Sequence, residues 1–247
     1  MTCPGRLFLN NLPASAELLR TERLLVYHLQ DYAPGWNAMF SLQTMFGKGD
    51  RFYDLLEASA GAARDGAKAL QALLESHGEP MLLDGFRVAR RREKDLAAQI
   101  SEGLVNTFVT ALDREDIEAM SSALYRIPKT IEKFAERYVI VAERVEGIDF
   151  VSRAGLLMSA TEGVVEMVGE LRNGMNIGRM RKLQDRLQAV ESEADRLLLE
   201  PYRTQYLGSD DPIRAMLAKD LFELLEKAID RCRDVGNVIY SIVLKNS

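Results

Sequence analysis

Acidic side chains four residues apart occur on two helix-like segments near the C-terminal end. Glu191 and Asp195 form the first pair, and Glu226 and Asp230 form the second, followed by Asp234. Residues four apart lie on one helix face, with Cβ atoms about 5–6 Å apart, and packed helix axes lie about 8–10 Å apart. Four carboxylates can therefore converge. Because oxygen-only clusters suit magnesium, calcium, manganese or iron, we predict a site for a divalent or iron-type ion whose identity stays open.

A solvated acidic surface is the alternative interpretation of the same spacing. The chain has 37 acidic residues, so pairs such as Asp50 and Asp54 also arise by chance. Against that, Glu191 and Glu226 each border an apolar stripe on the helical wheel. The alternative protein is a metal-free helical scaffold that acts through its surface.

The sequence lacks the residue patterns of the common catalytic sites. Neither His28 nor His77 has a glutamate three residues before it, as a di-iron helical bundle requires. No Ser-His-Asp set, glycine-rich phosphate loop or paired cysteine ligands occur in the sequence. We therefore predict no enzymatic activity; a metal-dependent hydrolase of phosphate compounds is a third and weaker alternative.

The elements that must position these acids are six helices. Capping residues, glycines and prolines punctuate the sequence, and no long segment alternates with period two. The predicted helices run over about 50–77, 83–112, 113–145, 149–173, 176–206 and from 211 onward. Long helices with short links pack antiparallel, so the predicted fold is all-α, with halves at about 39–147 and 148–247. Residues 1–38 are predicted to be a weakly ordered extension.

Composition narrows the class of protein further. Hydrophobic residues make up 47% of the 247 residues, enough for a continuous core, and the net charge of −5 argues against a nucleic-acid partner. No apolar run approaches the roughly 18 residues needed to cross a bilayer. Cys3 and Cys232 show no spacing pattern, which is typical of a reducing compartment. We predict a cytoplasmic protein, with Cys232 a buried apolar residue.

Two basic runs are the remaining surface signals. One comprises Arg87, Arg90, Arg91, Arg92 and Lys94; it can dock an acidic transporter loop or an anion, or it can be an ordinary solvated face balanced by Glu93 and Asp95. The other, at 179–182, is interpreted as a solvated face with weak attraction to anionic lipid.

Two sequence segments resemble those of a known protein family. Residues 106–117 (NTFVTALDREDI) and 226–239 (EKAIDRCRDVGNVI) resemble the PhoU-like Pit accessory proteins, relatives of the phosphate-uptake regulator PhoU, and the match extends over about 39–245. The resemblance implies two pseudo-repeated three-helix bundles and no known catalytic activity. It also implies a role in inorganic phosphate transport beside a Pit-type permease, at the inner face of the membrane. A homo-oligomer is expected only from exposed helix stripes, and whether 1–38 belong to the native protein stays open.

The resemblance also implies metal binding through Glu/Asp-x-x-x-Asp motifs, one set in each half. In the second half Glu191, Asp195, Glu226 and Asp230 match this pattern, with Asp234 a further candidate. In the first half the matching positions are occupied by other residue types, namely Arg90, Lys94, Tyr125 and Lys129. Cationic groups repel a metal ion, so we predict that only the second half binds one.

Overall fold

The computed structural model describes residues 42–76, 83–208 and 211–246. These residues form six α-helices, which we label α1 (Leu42–Glu75), α2 (Asp84–Asn106), α3 (Arg114–Val141), α4 (Val151–Arg172), α5 (Ile177–Gly208) and α6 (Pro212–Lys245). A single 3₁₀ turn, Ala142–Val145, follows α3, and no strand occurs in the described part of the chain. The predicted all-α fold is confirmed. The predicted arm at 1–38 lies outside the described residues and stays a prediction.

Each half is a bundle of three helices. In the first half Gly66 on α1 faces both partners: a Cβ there would lie 3.5 Å from Ile131 of α3 and 3.9 Å from Ala89 of α2. In the second half α4, α5 and α6 pack against one another. The bundles meet where α3 packs along α6, and their buried apolar residues form one continuous core.

Buried positions of α3 recur in α6 at a constant offset along the sequence. Leu124 and Ile131 of α3 are fully buried, and so are Leu225 and Cys232 of α6, which stand 101 positions later in each case. Repeated burial at a constant offset is what two copies of one helical unit produce. The pseudo-repeat is therefore confirmed, and Cys232 is a buried core residue as predicted.

The end of α2 differs from the prediction. The helix stops at Asn106 rather than near residue 112, because the guanidinium of Arg114 donates to the carbonyl oxygens of Leu104 and Thr107 and so closes the chain into a loop. Phe108 is 96% exposed, although the helical spacing from Ile100 and Leu104 predicts it on the apolar face of a longer helix. At the other end of the first half, α1 begins at Leu42, earlier than the predicted start near Asp50.

The sequence predicts a helix cap at Asp211 for α6, and a capping box of Asp113 and Asp116 for α3; the first is confirmed and the second is wrong. Asp211 caps α6, since its Oδ1 accepts from the backbone N–H groups of Ile213 and Arg214 at 3.1 and 3.0 Å. Asp113 makes no side-chain cap bond to α3. Asp116, predicted to complete that capping box, accepts instead from Nζ of Lys245 at 2.6 Å, which ties the end of α6 to the start of α3.

The sequence predicts close helix packing at Gly155, Gly163 and Gly169 of α4, and the structure shows it at one of them. A Cβ at Gly163 would lie 3.7 Å from Nη2 of Arg186 and 3.8 Å from a methyl group of Leu187 on α5, whereas a Cβ at Gly155 or Gly169 would meet nothing within 4 Å. A Cβ at Gly236 would lie 2.6 Å from a methyl group of Leu187 and 2.7 Å from Oε1 of Gln184. Gly236 therefore lets α6 approach α5, the two helices that carry the predicted metal ligands.

Candidate functional site

The predicted acids lie on neighbouring helices of the second half. Glu191 on α5 is buried, and Asp195, one turn further on, is exposed. Glu226 and Asp230 on α6 are partly buried, and α6 packs along α5. The antiparallel arrangement thus brings the two pairs to neighbouring parts of α5 and α6. We call Glu191, Asp195, Glu226 and Asp230 the acid cluster.

The electrostatics of Glu226 show that the four acids interact. The pKa of Glu226 is raised to about 7, mainly by burial and then by the neighbouring charges of Asp230, Asp195 and Glu191, in that order. A hydrogen bond with Asp230 also favours the protonated form. Because like charges resist joint ionisation, the cluster is a place where a nearby cation would be stabilised.

Asp234 stands apart from the cluster. Its Oδ2 accepts from Nη1 of Arg231 at 2.7 Å, and it is not among the groups that raise the pKa of Glu226. Its role as a further ligand stays a prediction.

One cation already lies at the cluster. Nη1 of Arg233 donates to Oε1 of Glu191, and Nη2 lies 3.4 Å from Oδ1 of Asp230. Arg233 therefore joins one acid from α5 to one from α6. Asp195 forms no ion pair with any residue that the structure describes.

The donor set fits a hard cation in chemistry, though not in preformed geometry. All four groups offer carboxylate oxygens, which magnesium, calcium and manganese prefer. Among the described residues, however, no three acid, histidine or cysteine side chains are gathered closely enough to hold an ion. A bound metal ion would thus have to replace the contacts that Arg233 makes and draw the carboxylates together.

A small cavity adjoins Glu226. It has a volume of about 10 Å³ and is lined by Arg153, Ala194, Phe222, Leu225, Glu226 and Ile229. The guanidinium of Arg153 lies 4.1 Å from the Phe222 ring centroid and donates to the carbonyl oxygen of Leu197 at 2.7 Å. The cavity is about large enough for one water molecule, and its lining residues other than Arg153 and Glu226 are apolar.

The matching positions of the first half carry cations. Nη2 of Arg90 donates to the hydroxyl of Tyr125, and the guanidinium carbon lies 4.0 Å from the ring centroid. Nζ of Lys129 lies 6.0 Å from the same centroid. The hydrogen bond from Arg90 lowers the pKa of Tyr125, and the charges of Arg90, Lys129 and Lys94 lower it further. The prediction that this half binds no metal stays a prediction.

A buried acid in the first half was missed by the sequence analysis. Glu93 on α2 is 0% exposed, and Oγ of Ser59 donates to its carboxylate at 2.6 and 2.7 Å. Burial raises the pKa of Glu93 to about 7, against the lowering effects of Ser59 and of two nearby arginines. The sequence suggested an exposed charge that balances the basic run, whereas Glu93 is buried, although the charges of Arg90 and Arg92 still act on it. The signal was its register, since it falls on the buried stripe Phe86, Ala89, Glu93, Leu96 and Ile100.

None of the described helices is both long and apolar enough to cross a lipid bilayer.

The architecture resembles one solved structure closely enough to define the class of fold. A crystal structure from Shewanella oneidensis, described as a PhoU-like phosphate regulatory protein, superposes with a TM-score of 0.59 at 13% identity and covers 78% of this chain and 99% of that one. The fold is PhoU-like.

Sequence comparison points to one branch of that class. A protein of Rhizobium meliloti described as a Pit accessory protein is 26% identical over 213 residues, which is 80% of this chain and 94% of that protein. The YkaA protein of Bacillus subtilis is 24% identical over 152 residues, covering 58% and 70%. No protein-family model matches the sequence. The predicted resemblance to the PhoU-like Pit accessory proteins is confirmed.

Proposed function

We propose that this chain is a non-enzymatic accessory protein of inorganic phosphate transport that acts on a Pit-type permease from the cytoplasmic side of the membrane. The observation that carries the proposal is its likeness to a Pit accessory protein along 94% of that protein's length. The names of its relatives describe accessory and regulatory proteins. Because the likeness includes both helical bundles, the proposal concerns the whole unit rather than one motif.

The proposed role includes a metal ion bound by the acid cluster. Glu226 supports this part, since a carboxyl group surrounded by three other acids gains from a cation that offsets their repulsion. Glu191 and Asp230 would supply further oxygens once Arg233 withdraws, and exposed Asp195 would supply another. The ion would neutralise the cluster and tie α5 to α6, so that its binding changes the surface offered to the permease.

A metal-free scaffold is the second candidate function. The specific observation in its favour is Arg233, which already offsets Glu191 and Asp230 without any ion. In that case the protein would act on its partner through its surface alone, and loss of the acids would matter only for stability.

Phosphate uptake tests the proposal and separates the two candidates. Cells whose uptake depends on a Pit-type permease would be assayed with radiolabelled phosphate, with and without this protein. The test variant, Asp195→Asn with Asp230→Asn, removes one acid from each helix of the cluster. The matched control, Asp185→Asn with Asp220→Asn, removes one exposed aspartate from each of the same helices.

We expect the wild type and the control to change uptake and the test variant to fail. An equal effect of all three proteins would favour the metal-free scaffold. Uptake that is the same with and without the wild type, together with failure to co-purify with the permease, would contradict the accessory role.

A further inference from the structure

The two halves carry opposite charges at equivalent positions. Each second-half residue of the acid cluster stands 101 positions after its first-half counterpart. The pairs are Arg90 and Glu191, Lys94 and Asp195, Tyr125 and Glu226, Lys129 and Asp230, and Glu132 and Arg233. Equivalent backbone positions therefore carry mostly acids in the second half and mostly cations in the first half.

An ion pair between the two helices is also reversed. Nε of Arg90 on α2 lies 3.9 Å from Oε2 of Glu132 on α3. At the equivalent positions the acid Glu191 is on α5 and the cation Arg233 is on α6. Each half thus has one ion pair between its two helices. The other charged residues at the equivalent positions are acidic in the second half and basic in the first half.

The first-half cations exceed the acids that face them. Among the residues that the structure describes, Glu132 is the one acid in an ion pair with Arg90, and Lys94 and Lys129 form none. Nη1 of Arg90 is buried and has no hydrogen-bond partner in the same part of the chain. A buried donor without a partner destabilises the fold, and an anion would satisfy it.

The guanidinium and ammonium donors indicate which kind of anion would bind. A guanidinium offers paired N–H groups that match two oxygens of a phosphate group, and ammonium groups add charge without further geometric demands. The hydroxyl of Tyr125 accepts from Arg90, so it is held beside the cations. The side chain of Arg90 is 17% exposed, so a ligand must be small enough to reach a partly buried group. A compact oxyanion meets this requirement.

We propose that Arg90, Lys94, Tyr125 and Lys129 form a binding site for a phosphate group, supplied by inorganic phosphate. The site lies in the first half and is separate from the acid cluster. It does not depend on the second half binding a metal.

Binding of inorganic phosphate to the full chain tests the proposal. Equilibrium dialysis with radiolabelled phosphate at low ionic strength, where screening is weak, would compare three proteins. The test variant is Lys94→Ala with Lys129→Ala, and both of these lysines are exposed, so the fold should survive. The control is Arg181→Ala with Lys182→Ala, two exposed cations of α5 that change the net charge equally. Circular dichroism confirms that each variant is folded.

Wild type and control should bind phosphate saturably, and the test variant should bind it about ten-fold more weakly, since hydrogen bonds to charged groups are lost. A parallel arm uses vesicles of phosphatidylcholine with or without phosphatidylglycerol, in a buffer that contains no inorganic phosphate. Binding to the anionic vesicles alone, lost in the same variant, would support the site and assign the phosphate group to lipid. Absence of binding in both arms, or equal weakening in test and control variants, would overturn the proposal.

Discussion

Replacing Glu93 by glutamine should remove a pH-dependent cost to folding. The Glu93 carboxyl is fully buried, and its principal hydrogen-bond donor in the described part of the chain is the hydroxyl of Ser59. Glutamine has nearly the same shape and can still accept that bond, but it carries no charge. The Glu93→Gln variant therefore isolates the cost of burying the carboxylate.

The sign and size follow from the pKa. Burial raises the pKa of Glu93 from 4.5 to about 7, so the folded protein binds the proton more tightly than the unfolded chain. This contribution to stability is fully present below pH 4.5 and is lost as the pH rises to about 7. Each pKa unit corresponds to about 1.4 kcal/mol, so the loss amounts to about 3 kcal/mol.

Urea unfolding at pH 5 and pH 8 measures this difference. At pH 5 the variant and the wild type should have similar free energies of unfolding, whereas at pH 8 the variant should be more stable by about 2–3 kcal/mol. Asp95→Asn, an exposed change on the same helix, should show no such dependence. If the difference between Glu93→Gln and the wild type were equal at both pH values, the reasoning from burial would be refuted.

Three further predictions concern helix packing, the loop after α2 and the cation at the acid cluster. Gly155→Ala should raise the free energy of unfolding by about 0.5–1 kcal/mol through helix propensity, because its Cβ meets nothing within 4 Å. Gly236→Ala should lower it by about 1–3 kcal/mol, because its Cβ would lie 2.6 Å from a leucine methyl; equal shifts in urea unfolding would contradict both. Phe108→Ser should change the free energy of unfolding by less than about 0.5 kcal/mol, since the ring is 96% exposed. Arg114→Ala should lower it by about 1 kcal/mol, because three loop carbonyl oxygens lose their donor. A larger loss from Phe108→Ser than from Arg114→Ala would contradict this prediction. Arg233→Gln should strengthen manganese binding about ten-fold in a calorimetric titration, because the competing cation is gone; unchanged or weaker binding would count against that competition.

The long helices could be predicted because their stripes and caps agree with the tertiary packing. The cap at Asp211 is local, since it depends only on the two N–H groups that follow. The end of α2 was misplaced because periodic apolar residues continue through Leu104 to Leu112, whereas Arg114 takes the carbonyl oxygens that would extend the helix. Asp116 shows the same limit, because its partner Lys245 lies on α6, far along the chain.

Within the candidate site, too, some features could be predicted from the sequence and others could not. Spacing was enough to place Glu191, Asp195, Glu226 and Asp230 between two neighbouring helices. It was not enough to find Arg233, because an arginine three residues after an acid is common on solvated helices. The contact of Arg233 with Glu191 depends on the register of α5 against α6, which sequence spacing alone does not define.

Metal content is the measurement that tests the central claim, namely that the acid cluster binds a cation while its first-half counterpart does not. Purified protein would be equilibrated with manganese, dialysed, and analysed for metal per chain, alongside three variants. These are Asp195→Asn with Asp230→Asn, the control Asp185→Asn with Asp220→Asn, and Arg90→Gln with Lys94→Gln. We predict bound metal in the wild type, the control and the first-half variant, and its loss from the cluster variant alone. Equal metal in all four proteins, or none in the wild type, would contradict the claim.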